Sequence, residues 1–148
     1  MTSVPPVPTP PTSSFIRPAL ALLAGLGILV LIVAPPTLIV TLALLRNVAD
    51  AHNFVPPAGF LVFTLTLNAL GGFASGYTVA RLTAGRSFYT VLLLALILCI
   101  SGAAEAFKAV AGDGIVWHPV GLSIVGPISV LLGGLFERRR SAAMVTER

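Results

Sequence analysis

The chain has 148 residues, 56% of them hydrophobic and only 9% charged, with a net charge of +4. Ordinary soluble domains are about a quarter charged, and a small domain exposes too much surface to hide so many apolar side chains. The composition therefore excludes a typical soluble domain and, with no aromatic–basic interleaving around the arginines, argues against a nucleic-acid partner.

Residues 1–16 come first, with Pro5, Pro6, Pro8, Pro10 and Pro11 set among Ser and Thr. Proline removes backbone donors and favours extended geometry, so this segment reads as a disordered cytoplasmic Pro-rich tail. Pro5–Pro8 and Pro8–Pro11 also fit a PxxP ligand, a pattern that any proline-rich tail generates.

Four stretches without formal charge follow: Pro18–Leu45, Asn53–Ala80, Ser87–Ala104 and Gly114–Phe136, of 28, 28, 18 and 23 residues. A helix needs roughly 20 apolar residues to cross a hydrocarbon core. The expected fold is all-α, a four-helix transmembrane bundle occupying residues 17–137. Its spans fall at about 18–45, 58–80, 87–108 and 117–136, and a basic cytoplasmic tail covers 138–148.

Arg17 before the first apolar run imitates a secretory signal. The run exceeds an h-region of about 7–15 residues, and Ala34 is followed by Pro35 and Pro36, a poor cleavage context. The first span is read as a retained anchor. Pro35–Pro36 removes two helical hydrogen bonds, so a kink or a break with restart is expected, with Thr37 and Thr41 available to satisfy freed carbonyls.

In the second span Thr64, Asn68, Gly71, Gly72, Ser75 and Thr78 fall within about 120° of one another at helical spacing. Gly72 and Gly76 form GxxxG. This is read as a helix-packing face inside the monomer, with Asn68 hydrogen-bonding across the contact. A homodimer contact and a polar substrate path are the alternatives. The short link 81–86 predicts that spans two and three form an antiparallel hairpin.

Glu105 and Lys108 close the third span on one turn, as an interfacial ion pair. The sharper reading makes Asn68, Glu105 and Lys108 an ion or substrate contact in a small transporter. Cys99, the single cysteine, has no intrachain partner and reads as a small apolar residue. Asp50, His52, Asp113 and His118 gather on one side, but without metal-binding spacing, so neither a metal nor a cofactor is expected. Trp117 suits an interfacial anchor, and Pro127 a kink in the fourth span. No nucleophile–base pair or phosphate loop points to an enzyme; a membrane enzyme would need the outer His and acidic residues to converge.

Even-numbered spans place both termini on one side. That side carries Arg17, Arg81, Arg86, Arg138, Arg139, Arg140 and Arg148, while the other carries only Arg46 and Lys108. The positive-inside rule then makes the arginines topology anchors and puts both termini in the cytoplasm. Arg138–Arg140 is also expected to grip anionic headgroups.

The segment Gly71-Gly72-Phe73-Ala74-Ser75-Gly76-Tyr77-Thr78-Val79-Ala80-Arg81-Leu82, followed by Gly85-Arg86, resembles small uncharacterised bacterial four-helix integral membrane proteins. In these a glycine-rich second helix ends in Gly-Tyr-x-x-Ala-Arg. The resemblance implies an inner-membrane bundle and brings no activity or substrate. The leading expectation is a non-enzymatic structural, accessory or interaction subunit, whose partners are the lipid bilayer and either a second copy or another membrane protein. A small oligomeric transporter or channel near Asn68 and Glu105 is the alternative.

Overall fold

The computed structural model describes residues 16–46, 55–83, 88–112 and 115–146. They form four helices: α1 (Ile16–Leu45), α2 (Ala58–Leu82), α3 (Phe88–Ala111) and α4 (Trp117–Thr146). All four are long and apolar enough to cross a membrane. The proline-rich segment, Arg86 and the acidic and histidine positions Asp50, His52 and Asp113 lie outside the described residues.

Each helix end has a local cause. Pro18 sits in the first turn of α1, where a missing N–H costs little. Pro57 precedes α2 in extended geometry, φ −64° and ψ 147°, and its carbonyl accepts from Phe60 N at 2.9 Å. Thr83 stops α2: its backbone N–H and its hydroxyl both reach Val79 O, at 3.1 and 2.9 Å, covering a carbonyl that the helix end orphans. Gly112 N does the same for Lys108 O at the end of α3.

Pro35–Pro36 does not break α1, which runs through both prolines as one helix of 30 residues, about 45 Å long. The expected relief by Thr37 is absent. Its hydroxyl is buried and has no hydrogen-bond partner among the described residues. The fourth helix continues past the arginine run to Thr146, so Arg138, Arg139 and Arg140 are helical and exposed.

Helices α2 and α3, joined by the short link 81–86, are in contact. These sequence neighbours touch only lightly; α2 packs mainly on α4 and α1, and α3 packs mainly on α4. The spatial order is α1–α2–α4–α3. The reason is steric: the closest approaches belong to helices with glycine at the crossing. A Cβ on Gly76 would land on the backbone of Val130, and one on Gly133 would land on Phe73 O. Only a residue without a Cβ lets two backbones meet this closely. Along this seam Leu65 meets Gly121, Gly72 meets Gly126 and Ser129, and Gly76 meets Val130. Position numbers rise together on both helices, so α2 and α4 run parallel, as alternating up-and-down passes require.

The buried core joins Ala21 of α1, Val79 and Ala80 of α2, Val91, Leu94 and Ala95 of α3, and Val130 of α4. These residues lie near the start of α1 and α3, toward the end of α2 and at the middle of α4. The core therefore sits in the half of the bundle where α1 begins and α4 finishes.

Candidate functional site

The polar and small stripe of α2 is shared between two neighbours instead of forming one face. Successive residues point about 100° apart, so Gly71 and Gly72 diverge. Gly71 meets Leu29 and Val33 of α1, whereas Gly72 meets Gly126 and Ser129 of α4. Ser75, fully buried, donates from its hydroxyl to Gly25 O on α1 at 2.6 Å. Thr78 turns back to its own helix and donates to Ala74 O at 2.9 Å.

Thr64 is buried and links α2 to α4. Its hydroxyl donates to Leu61 O at 2.9 Å and lies 2.7 Å from His118 Nε2. With the hydroxyl proton on Leu61 O, the imidazole Nε2–H is the donor to Thr64. His118 is thereby held in the first turn of α4, with Trp117 packed edge-on at 5.9 Å between ring centroids. Sequence spacing gave no sign of this pair, because it depends on the parallel register of α2 and α4. Among the described residues no cluster of three His, Cys, Asp or Glu side chains could hold a metal ion.

Asn68 departs from expectation. It does not bond across a helix contact; its Nδ2 donates to Thr64 O of its own helix at 2.9 Å. The i−4 carbonyl is always within reach and satisfies the amide locally. Asn68 nonetheless shares a cavity of about 170 Å³ with Ser101, Gly102 and Glu105 of α3 and with Leu122 and Gly126 of α4. The glycines lining it come from α3 and α4, not from the α2 stripe. Its small lining residues are Ser101 and Gly102 of α3 and Gly126 of α4, and Gly102 lies directly against Ser123. At its rim Glu105 Oε1 accepts from Lys108 Nζ at 2.7 Å, with side chains 60% and 72% exposed. Such an exposed pair contributes about 0–1 kcal/mol. Cys99 is exposed on α3 and free.

A second cavity, about 420 Å³, lies between α1, α2 and α4 toward the end of the bundle where the arginines gather. Ile28, Phe73, Tyr77 and Phe136 give it apolar walls, and Arg140 stands at its edge. Arg140 Nη1 donates to Tyr77 Oη at 3.0 Å. Phe136 stacks at tilted angles on Phe73 and Tyr77, at 5.9 and 6.4 Å.

Glu137 directly follows the last uncharged stretch and begins the charged end of α4. It is 8% exposed. Ser141 Oγ donates to its Oε1 at 3.3 Å, while Oε2 has no partner among the described residues. Its position just beyond the last uncharged stretch resembled that of the arginines beside it. Only the helical continuation of α4 turns it inward while Arg138, Arg139 and Arg140 remain exposed.

Arg17 and Arg81 are exposed as well, at the start of α1 and the end of α2. Comparisons with protein-family models, with curated proteins and with solved structures return no match to this chain.

Proposed function

We propose that the chain is an integral protein of the bacterial inner membrane, crossing it four times with both termini in the cytoplasm, and that it works as a non-catalytic structural, accessory or interaction subunit. The observation that carries this reading is the use made of the small and polar residues of α2. Gly72 and Gly76 close on α4, Ser75 bonds α1, and Thr64 bonds His118. Their shared effect is to hold helices together, as small and hydroxylated residues do in lipid. Supporting the orientation, Arg17, Arg81, Arg138, Arg139 and Arg140 are exposed at one end, against Arg46 and Lys108 at the other.

Native mass spectrometry of the full chain in mild detergent tests the subunit reading. The expected species is a complex of fixed stoichiometry heavier than the 15.3 kDa chain, containing a second copy or another membrane protein. A lone chain at every detergent concentration counts against it. A carboxy-terminal reporter that is active only outside the cytoplasm tests the orientation; activity reverses it.

The cavity joining Asn68 and Glu105 favours a second reading, a small oligomeric transporter or channel. Proteoliposome flux separates the two. Cation flux lost in Glu105→Gln supports transport, and absence of flux from wild-type protein supports the subunit reading.

A further inference from the structure

We propose that the cavity between α1, α2 and α4 binds one anionic phospholipid, with an acyl chain along Phe73 and Phe136 and the phosphate on Arg140. Two chemistries meet there, and a phospholipid carries both. The slot itself is apolar, and its volume of about 420 Å³ lies within the roughly 300–1,000 Å³ typical of ligand pockets. It exists because Ala74 and Thr78 are small where α1 crosses α2, while the tilted ring contacts of Phe136 with Phe73 and Tyr77 hold the opposite wall open.

The cation at its edge is positioned. Tyr77 Oη takes one of the five N–H donors of Arg140. Among the described residues the one ion pair is Glu105–Lys108, so Arg140 has no carboxylate partner there. Glu137, one turn earlier, is buried and accepts from Ser141 instead. A planar guanidinium with donors to spare suits a phosphate oxygen pair. Arg140 lies one turn beyond Phe136, where the uncharged stretch of α4 ends, which is headgroup depth for a helix in a bilayer. Anionic headgroups are the membrane component that an exposed cation at this depth attracts. The site is independent of whether the bundle is a subunit or a flux path.

The test is native mass spectrometry of the full chain in mild detergent with equimolar phosphatidylglycerol and phosphatidylcholine. Wild-type protein is expected to retain one phosphatidylglycerol in preference to phosphatidylcholine. Arg140→Gln should lower that retention about tenfold, the equivalent of one lost charge-assisted contact. Arg139→Gln removes the same charge outside the slot and should leave retention within about twofold. Ala74→Val narrows the slot with every arginine kept and should also lower retention. Circular dichroism and the melting temperature report folding for each variant, and the two exposed arginine variants keep the test decisive if Ala74→Val does not fold. Equal loss in Arg139→Gln and Arg140→Gln would mean diffuse headgroup attraction and overturns the site. Equal retention of both lipids by wild-type protein overturns it too. Displacement of phosphatidylglycerol by millimolar inorganic phosphate would show a free-anion site and overturns the lipid assignment.

Discussion

The seam between α2 and α4 and the attachment of α1 are built from the same residue types but to different depths. On the seam, glycines alternate from both sides, with Gly72 and Gly76 on α2 and Gly121, Gly126 and Gly133 on α4. On α1 a single short line makes contact, with Ala21, Gly25 and Leu29 its buried residues. In the most apolar window of α1 only 6% of residues are buried, against 28% in α2. The physical lesson concerns solvent. Lipid tails are as apolar as leucine, so an apolar face gains little by leaving lipid for another helix. Close backbone approach and hydrogen bonds decide association instead. Those are concentrated on the seam, and α1, the most hydropathic of the four helices, is held least.

The comparison breaks most sharply at Gly76. Gly76→Leu forces its side chain into the Val130 backbone, and overpacking without room to relax costs about 1–3 kcal/mol or more. The expected outcome is a large loss of thermal stability in detergent, with α2 and α4 no longer forming an engineered cross-link. An unchanged melting temperature would mean that the seam is not what holds the bundle together.

A smaller effect is expected where α1 joins. Ser75→Ala removes the hydroxyl bond to Gly25 O, and interhelical bonds in membranes average about 0.6 kcal/mol. It should loosen α1 selectively. A cysteine cross-link between α1 and α2 should form more slowly, while one across the seam keeps its rate. Equal slowing of both would show that α1 and the seam come apart as one unit.

The smallest effect, and of opposite sign, belongs to Gly27. Nothing lies within 4 Å of where its Cβ would sit. Gly27→Ala is expected to be neutral or to stabilise by up to about 1 kcal/mol, because glycine inside a helix costs conformational entropy. Measured destabilisation would place an additional partner on the open side of α1.

Much of the fold was legible in the sequence because a long uncharged run permits few structures. Each helix lies on one charge-free stretch, but α3 runs seven residues past its stretch to Ala111 and α4 ten past its own to Thr146. A charged extension beyond an apolar span is not forbidden from helix, and no breaker stands between Phe136 and Thr146. The Glu105–Lys108 contact was also legible, since a spacing of three fixes a contact within one helix.

What the sequence could not decide was which helices touch. A loop as short as 81–86 brings α2 and α3 near each other without making them pack. The order α1–α2–α4–α3 depends on matching glycine positions on helices far apart in the chain, and so do the Thr64–His118 link and both cavities. The sequence by itself determined the number of the helices and where their charges lie along the chain, because these follow from local chemistry. The tertiary structure alone decided that Glu137 turns inward and that Arg140 meets Tyr77. Each of those outcomes depends on the rotation of one helix against another, which only the packed seam sets.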